Sequence, residues 1–211
     1  MEYIAHRINT IKELKKIPKE YGVELDVRDY GERLILQHDP FKDGDDFEAF
    51  LKQYNHETMI LNIKSEGIEL RVLQLIKRYN INKYFFLDSS FPMINSLSLN
   101  GEKNIALRFS ELEGLDTICS MTKKVHWVWV DCFSKLPITK ESYKLLKDKK
   151  FKICLVSPEL QNQEHKLETY TQSLGYILNT NLYRLLEKNN YKLINWVNSD
   201  LIFVKNDYIS L

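Results

Sequence analysis

Two carboxylates, Glu24 and Asp26, alternate with Val23, Leu25 and Val27 in the stretch Val-Glu-Leu-Asp-Val. In a strand, residues two apart share a face, so the two acids point together. A buried pair of like charges is costly and each raises the proton affinity of the other. A hard cation removes both penalties, because carboxylate oxygens are its preferred ligands. The alternative is an edge strand with a solvated Glu24/Asp26/Arg28 face, and this stretch alone does not decide between them. Other apolar runs end in the same manner. Asn62 and Lys64 share a face in Met-Ile-Leu-Asn-Ile-Lys, Ile4 and His6 in the first run with Arg7 beside them, Phe86 and Asp88 in Phe-Phe-Leu-Asp, and Trp129 and Asp131 in Trp-Val-Trp-Val-Asp. Polar residues gathered at the carboxyl ends of several strands are the usual setting of an active site in α/β barrels. For Asp88 and Asp131 a helix cap is an equal alternative, and Trp129 reads as a core or pocket-wall residue.

These residues need a scaffold that brings strand ends together. Eight apolar runs are expected to be strands: 3–7, 22–28, 59–64, 83–89, 104–109, 126–133, 152–157 and 193–197. Helical patterns separate most of them, near 10–20, 67–80, 92–99, 112–123, 139–149, 163–174 and 181–189. Thr139 and Thr180 look like helix starts. Tyr30-Gly31-Glu32 is a tight-turn signal, so the run from Arg33 to Asp39 is expected to fold back on the strand before it. The β-α alternation predicts an α/β fold, a compact (β/α)8 TIM barrel with a hairpin extension after its second strand, formed by one domain over residues 1–211. Trp196 and Asp200 fall where the last strand should end and are expected to line the pocket or close the barrel. No glycine-rich phosphate loop follows the first run, and seven glycines in 211 residues argue against dinucleotide binding.

The balance of 30 Lys and Arg against 29 Asp and Glu, net +1, offers no polyanion-binding surface, so nucleic acid is not an expected partner. Three cysteines, odd in number and widely spaced, do not form a disulfide framework or a zinc knuckle, and a reducing cytosol is the expected location. No apolar run approaches the roughly 20 residues of a membrane span. The N-terminal stretch lacks the continuous apolar segment of a signal peptide. Stable membrane association is not expected, and the oligomeric state is open.

In order and spacing, Ile4-Ala-His-Arg7, Glu24-Leu-Asp26, His38-Asp39 and Ile63-Lys64 resemble the glycerophosphodiester phosphodiesterases, members of the phosphatidylinositol-specific phospholipase C-like superfamily that also holds venom-type phospholipase D enzymes. The resemblance implies a TIM barrel with a divalent cation, Mg²⁺ or Ca²⁺, at the strand ends. It implies His6 and His38 as the acid/base pair, Arg7 and Lys64 as the phosphate grip, and Glu24, Asp26 and the residue at position 62 as metal ligands. The family has a carboxylate where this chain has Asn62, and Asp88 from the next strand is a substitute. A second departure is length: only Pro40 to Glu57 occupy the place of the family's substantial insertion. The expected activity is cleavage of a small soluble glycerol-, polyol- or sugar-linked phosphodiester. The alternatives are a phospholipase D-like transferase releasing a cyclic phosphate, and a barrel that binds a phosphorylated ligand without turning it over.

Overall fold

The computed structural model describes residues 2–177 and 201–205. The chain packs as two compact units: one holds residues 4–106, the other residues 2–3 with the described residues from 107 onward.

In the first unit the central element is β2 (Tyr21–Tyr30), a ten-residue strand buried over its first eight residues. Val23, Leu25 and Val27 are fully enclosed, and so are Glu24 and Asp26 on the opposite face. The solvated-face alternative is therefore excluded. β2 pairs in parallel with β5 (Met59–Ile63), in a register that sets Glu24 opposite Ile60 and Asp26 opposite Asn62. β5 in turn pairs in parallel with β6 (Tyr84–Leu87). The other edge of β2 is shared. Ile8, just beyond β1 (Glu2–Ala5), donates its N–H to the Glu24 carbonyl at 2.9 Å, and Gln37 donates to the Asp26 carbonyl at 3.0 Å. The end of β2 also forms the expected hairpin with β3 (Arg33–Leu36), turning at Gly31 with φ +59°, a region that costs glycine little. A two-residue strand β4 (Asp45–Asp46) extends the hairpin.

The helices follow local signals. Thr10 caps α1 (Ile11–Leu14) in a reciprocal capping box with Glu13. The helix stops well before the expected Glu20, because Pro18 has no N–H to continue it and β2 begins at Tyr21. Asp46 caps α2 (Phe47–Leu51) by accepting from the Ala49 N–H at 2.8 Å, and Phe47 and Phe50 are fully buried. That helix was not expected from the sequence. α3 (Glu69–Arg78) buries Val72, Leu73 and Ile76 along one stripe, and α4 (Phe91–Leu99) follows β6.

The second unit repeats the alternation. β7 (Ala106–Phe109), β8 (Trp127–Val130), β9 (Lys152–Val156) and β10 (Leu201–Lys205) lie in that order. Between them come α5 (Leu115–Ser120), α6 (Lys140–Asp148) and α7 (Leu167–Ile177). Thr139 caps α6 as expected, although Ser142 and not Glu141 completes the box. The run 193–197, the helix 181–189, Thr180, Trp196 and Asp200 lie outside the described residues. The strand that pairs with β9 is instead 201–205.

The α/β class is as expected. The closed eight-stranded barrel is corrected: among the described residues the strand pairing does not close a ring. In the first unit the far edge of β6 carries a single bridge, Phe86 to Ile105, supported by one hydrogen bond from Phe86 N–H to the Asn104 carbonyl at 2.8 Å. One bridge does not make the continuous ladder that barrel closure needs.

One titratable group lies under this fold, away from the charged strand ends. His56 Nε2 lies 3.0 Å from the Ile17 carbonyl oxygen, while its Nδ1 is buried without a hydrogen-bond partner. That geometry identifies Nε2–H as the donor to the carbonyl. Burial, reinforced by Lys19 and opposed by the Ile17 hydrogen bond and Glu20, lowers its pKa from 6.5. The folded value is below the unfolded one, so this contribution to stability is complete above about pH 6.5 and is lost as the pH falls through the folded value. Thermal melts at about pH 7.5 and about pH 5.5 should therefore show a loss of stability that is smaller in His56→Gln. An equal loss in the variant would show that His56 is not the group responsible.

Candidate active site

Glu24 and Asp26 are the floor of a polar cluster built wholly within the first unit. The loop after β1 passes over Glu24. Arg7 has φ +53°, a left-handed conformation that costs a non-glycine residue on the order of 1 kcal/mol. The bend turns its backbone N–H onto Glu24 Oε2 at 2.7 Å, a charge-assisted bond that offsets the strain. His6 Nε2 lies 3.5 Å from the same oxygen. The second oxygen, Oε1, accepts from Asn62 Nδ2 at 2.8 Å. Asp26 is clamped at two points by Asn9, whose Nδ2 donates to Oδ2 and whose Oδ1 accepts from the Asp26 N–H, both at 2.8 Å. Lys64 continues the β5 ladder by donating its N–H to the Val27 carbonyl at 2.8 Å. Its Nζ reaches to 3.4 Å from Asp26 Oδ1 and 3.8 Å from Asp88 Oδ2. Asp88, at φ +61°, is thus joined to Lys64.

His38 arrives from the hairpin. Arg28, in β2, donates Nε to the Gln37 carbonyl at 3.0 Å and Nη2 to the His38 carbonyl at 3.2 Å, which fixes the backbone beneath the imidazole. The ring lies between Arg7 Nη2, 2.9 Å from its Nε2, and Asp39 Oδ1, 2.9 Å from its Nδ1. A guanidinium only donates, so Nε2 must accept and Nδ1–H must donate to Asp39. The neutral ring therefore presents a lone pair on Nε2 beside Arg7. Asp39 is held ionised by the Lys42 ammonium at 2.8 Å and then by His38, and its pKa falls from 3.8 to about 2. A depressed carboxylate pKa favours this loop arrangement above the ordinary value, and the effect is lost only as the pH falls through about 2. Asp39 can thus orient His38 across the working range of an enzyme.

The donor chemistry fits a hard cation. Asn62 Oδ1 is buried with no hydrogen-bond partner, and Asp26 Oδ1, from the register-paired residue, is buried and faces the Lys64 ammonium at 3.4 Å without a hydrogen bond. Orphaned acceptors of this kind are rare in folded proteins and oxygen ligands are what Mg²⁺ or Ca²⁺ requires. Glu24, Asp26 and Asn62 are the residues that would hold it. Among the described residues no group of three His, Cys, Asp or Glu side chains is gathered as a metal site; the third oxygen of this set is the Asn62 amide.

The structure thus brings His6, Arg7, Glu24, Asp26, His38, Asn62, Lys64 and Asp88 into one network of contacts. Trp129 and Asp131 belong to the second unit and form a cluster of their own. Asp131 Oδ2 accepts from Arg108 Nη1 at 2.6 Å and from Trp129 Nε1 at 3.3 Å, and Oδ1 accepts from Gln161 Nε2 at 3.0 Å and the Cys132 N–H at 2.9 Å. Sequence reasoning missed Asn9 and Arg28. Their partners are 17 and 9–10 residues away, and neither residue stands in a motif, so no local pattern marks them. A separate cleft of about 360 Å³ contains Arg33, Arg71 and Arg78. Its arginines are already engaged by Asp43, the Glu32 carbonyl and Glu48, which leaves it a poor anion site.

No family model and no curated protein sequence matches this chain. Solved structures do. A candidate glycerophosphoryl diester phosphodiesterase from Agrobacterium tumefaciens str. C58 superposes with a TM-score of 0.62 at 11% identity, covering 97% of this chain and 93% of that one. A glycerophosphodiester phosphodiesterase from the same organism gives 0.58 at 10% identity, covering 98% and 95%. At such identities the likeness is one of fold. The resemblance carried by the motifs of residues 4–64 is matched by the architecture along nearly the whole chain, which has the fold of these glycerophosphodiester phosphodiesterases.

Proposed function

We propose that the protein is a metal-dependent phosphodiesterase that cleaves a small soluble glycerol-, polyol- or sugar-linked phosphodiester by histidine acid/base catalysis. The observation that carries this reading is the convergence of two imidazoles, two cationic side chains and two buried carboxylates on one site. A phosphodiester is an anion that repels a nucleophile, and fixed positive charge around its nonbridging oxygens lowers that barrier. Arg7 and Lys64 supply such charge. A divalent cation held by Glu24, Asp26 and Asn62 would add Lewis-acid polarisation of the phosphoryl group. His38 takes the proton of the attacking hydroxyl or water on Nε2, with Asp39 steadying the imidazolium that results. His6 gives a proton to the leaving alkoxide. Where the substrate carries a hydroxyl beside the phosphoester, that hydroxyl attacks first and a cyclic phosphate is formed before hydrolysis.

The deciding experiment compares turnover of a chromogenic bis-ester and of several glycerophosphodiesters with Mg²⁺, with Ca²⁺ and after EDTA treatment. Cation-dependent release of a phosphomonoester is expected. Phosphorus NMR that shows the reaction stopping at a cyclic phosphate would instead make the protein a phosphodiester transferase. A second reading, a phosphoryl-ligand binder without turnover, is favoured by Asn62, whose amide donates to Glu24 and removes one formal charge from the ligand set. Binding of a glycerophosphodiester without any product would establish it. No helix among the described residues is long and apolar enough to cross a membrane, and Cys119, Cys132 and Cys154 form no disulfide. A cytoplasmic location and a dissolved substrate are part of the same proposal.

A further inference from the structure

The segment Pro40–Glu57, which stands where the resembled family has a substrate-covering insertion, turns most of its large apolar side chains inward. Phe47, Phe50 and Leu51 are buried in the core. Phe41 is the exception, at 95% exposure. It lies three residues after His38, and its φ of +62° is one that a bulky L-residue adopts only under constraint. The constraint is visible on both sides. Asp39 is tied to Lys42 and accepts from His38 Nδ1–H, while its N–H donates to Gln37 Oε1 at 3.1 Å. Gln37 Nε2 reaches across to the Asp43 carbonyl at 3.1 Å, and Arg33 Nη2 contacts both Asp43 carboxylate oxygens at 2.8 Å. The loop is stapled shut at its base, and what it displays at its tip is an aromatic ring in water.

We propose that Phe41 is the specificity residue of this enzyme, packing its ring on the C–H face of the alcohol group of the bound phosphodiester; this rests on the phosphodiesterase reading above. Three observations support the assignment. The ring is carried on the same hydrogen-bonded loop that orients His38, so a substrate that reaches His38 comes to this loop. The remainder of the segment has no other large apolar side chain at the surface. Finally, an exposed apolar residue held in an unfavourable backbone conformation marks a functional constraint, since folding alone favours glycine there. A lone ring flanked by Lys42 has too little apolar area to anchor a protein on a bilayer, but it matches the size of a glycerol or sugar face.

The test uses the full chain with Phe41→Gly and Phe41→Leu. Glycine accepts the positive φ but gains freedom in the unfolded chain, so the melting temperature should change little. KM for a glycerophosphodiester should rise by roughly tenfold in Phe41→Gly, as expected for losing partial burial of an aromatic ring. The rise should be smaller in Phe41→Leu, which keeps apolar area without the ring. kcat should fall less than KM rises, because the ring does not touch the reacting atoms. Unchanged KM in both folded variants, with wild-type turnover intact, overturns the inference and leaves the phosphodiesterase reading standing. Wild-type binding to phosphatidylserine-containing vesicles that is lost in both variants, again with unchanged KM, would assign the ring to a membrane surface and overturn it equally. If the wild-type protein neither binds nor turns over any phosphodiester in the panel, both readings fall.

Discussion

His38→Ala is expected to lower kcat by roughly 10²–10⁴-fold, the usual size of an acid–base contribution, while leaving the fold intact. The side chain is 40% exposed and fills no core space, so its loss opens no cavity. Its backbone position is held by Arg28 through two carbonyls and does not depend on the ring. The hydrogen-bonding pattern leaves Nε2 as the lone-pair nitrogen, engaged by Arg7, and this is the atom proposed to accept the proton. His6→Ala should produce a loss in the same range by removing the donor to the leaving group. The two differ in structural risk. His6 is nearly buried beside Glu24, and its loss removes a neighbour of an enclosed carboxylate. A folded His6→Ala protein with near wild-type turnover would refute the acid assignment, whereas one that melts far below wild type would show that His6 is a core residue first. For His38 the expectation is sharper: turnover within about threefold of wild type, well under the minimum acid–base effect, rules it out as the base.

Asn62→Asp is expected to tighten Mg²⁺ or Ca²⁺ binding at least several-fold, because hard-cation affinity follows the number of charged ligands. The contacts predict a second effect that a sequence argument does not reach. Asn62 now donates Nδ2 to Glu24 Oε1 at 2.8 Å. An aspartate there replaces that donor with a second acceptor, and two carboxylates at such a distance cannot both stay ionised without a cation between them. The metal-free variant should therefore melt below wild type, and saturating Mg²⁺ or Ca²⁺ should raise its melting temperature more than it raises that of wild type. Calorimetry on metal-free protein reads the affinity, and melts with and without cation read the coupling. Glu24→Gln should weaken binding in the same assay. If Asn62→Asp leaves affinity unchanged while Glu24→Gln abolishes it, position 62 is not a ligand. If neither matters, there is no metal centre on these strands and the proposed chemistry loses its Lewis acid.

The strands were legible because their signal is local. Period-two alternation marks β2, and short apolar runs mark β5, β6, β8 and β9, so residues expected to share a face with Glu24 and Asp26 do so. The hairpin was legible from Gly31. Thr139 was legible as a cap because the chemistry of capping is carried by one side chain. What failed to show itself depends on distant partners or on competition. The helix over 47–51 lies in a segment given no element from the sequence; its two buried phenylalanines are visible only once β3 is there to cover. α1 was read too long because the pull of Pro18 and of the early start of β2 was underweighted. The closed ring was inferred from counting runs, and counting does not say whether the last edge forms a full ladder. The clamp by Asn9 on Asp26 joins residues with no pattern between them.

β2 is committed along both edges. It keeps register with β5 from Val23 to Val27 and with β3 from Val27 to Tyr30. Inserting or deleting one residue within it would turn Glu24 and Asp26 to the apolar side and Val23, Leu25 and Val27 to the charged one. A change of chain length is therefore better placed outside the strand, at an exposed turn such as that around Gly31. The same frame that hides the two carboxylates so completely acts as a fixed ruler: the interval from Glu24 to Asp26, and its alignment with Asn62, cannot change by a single residue without dismantling the charged centre.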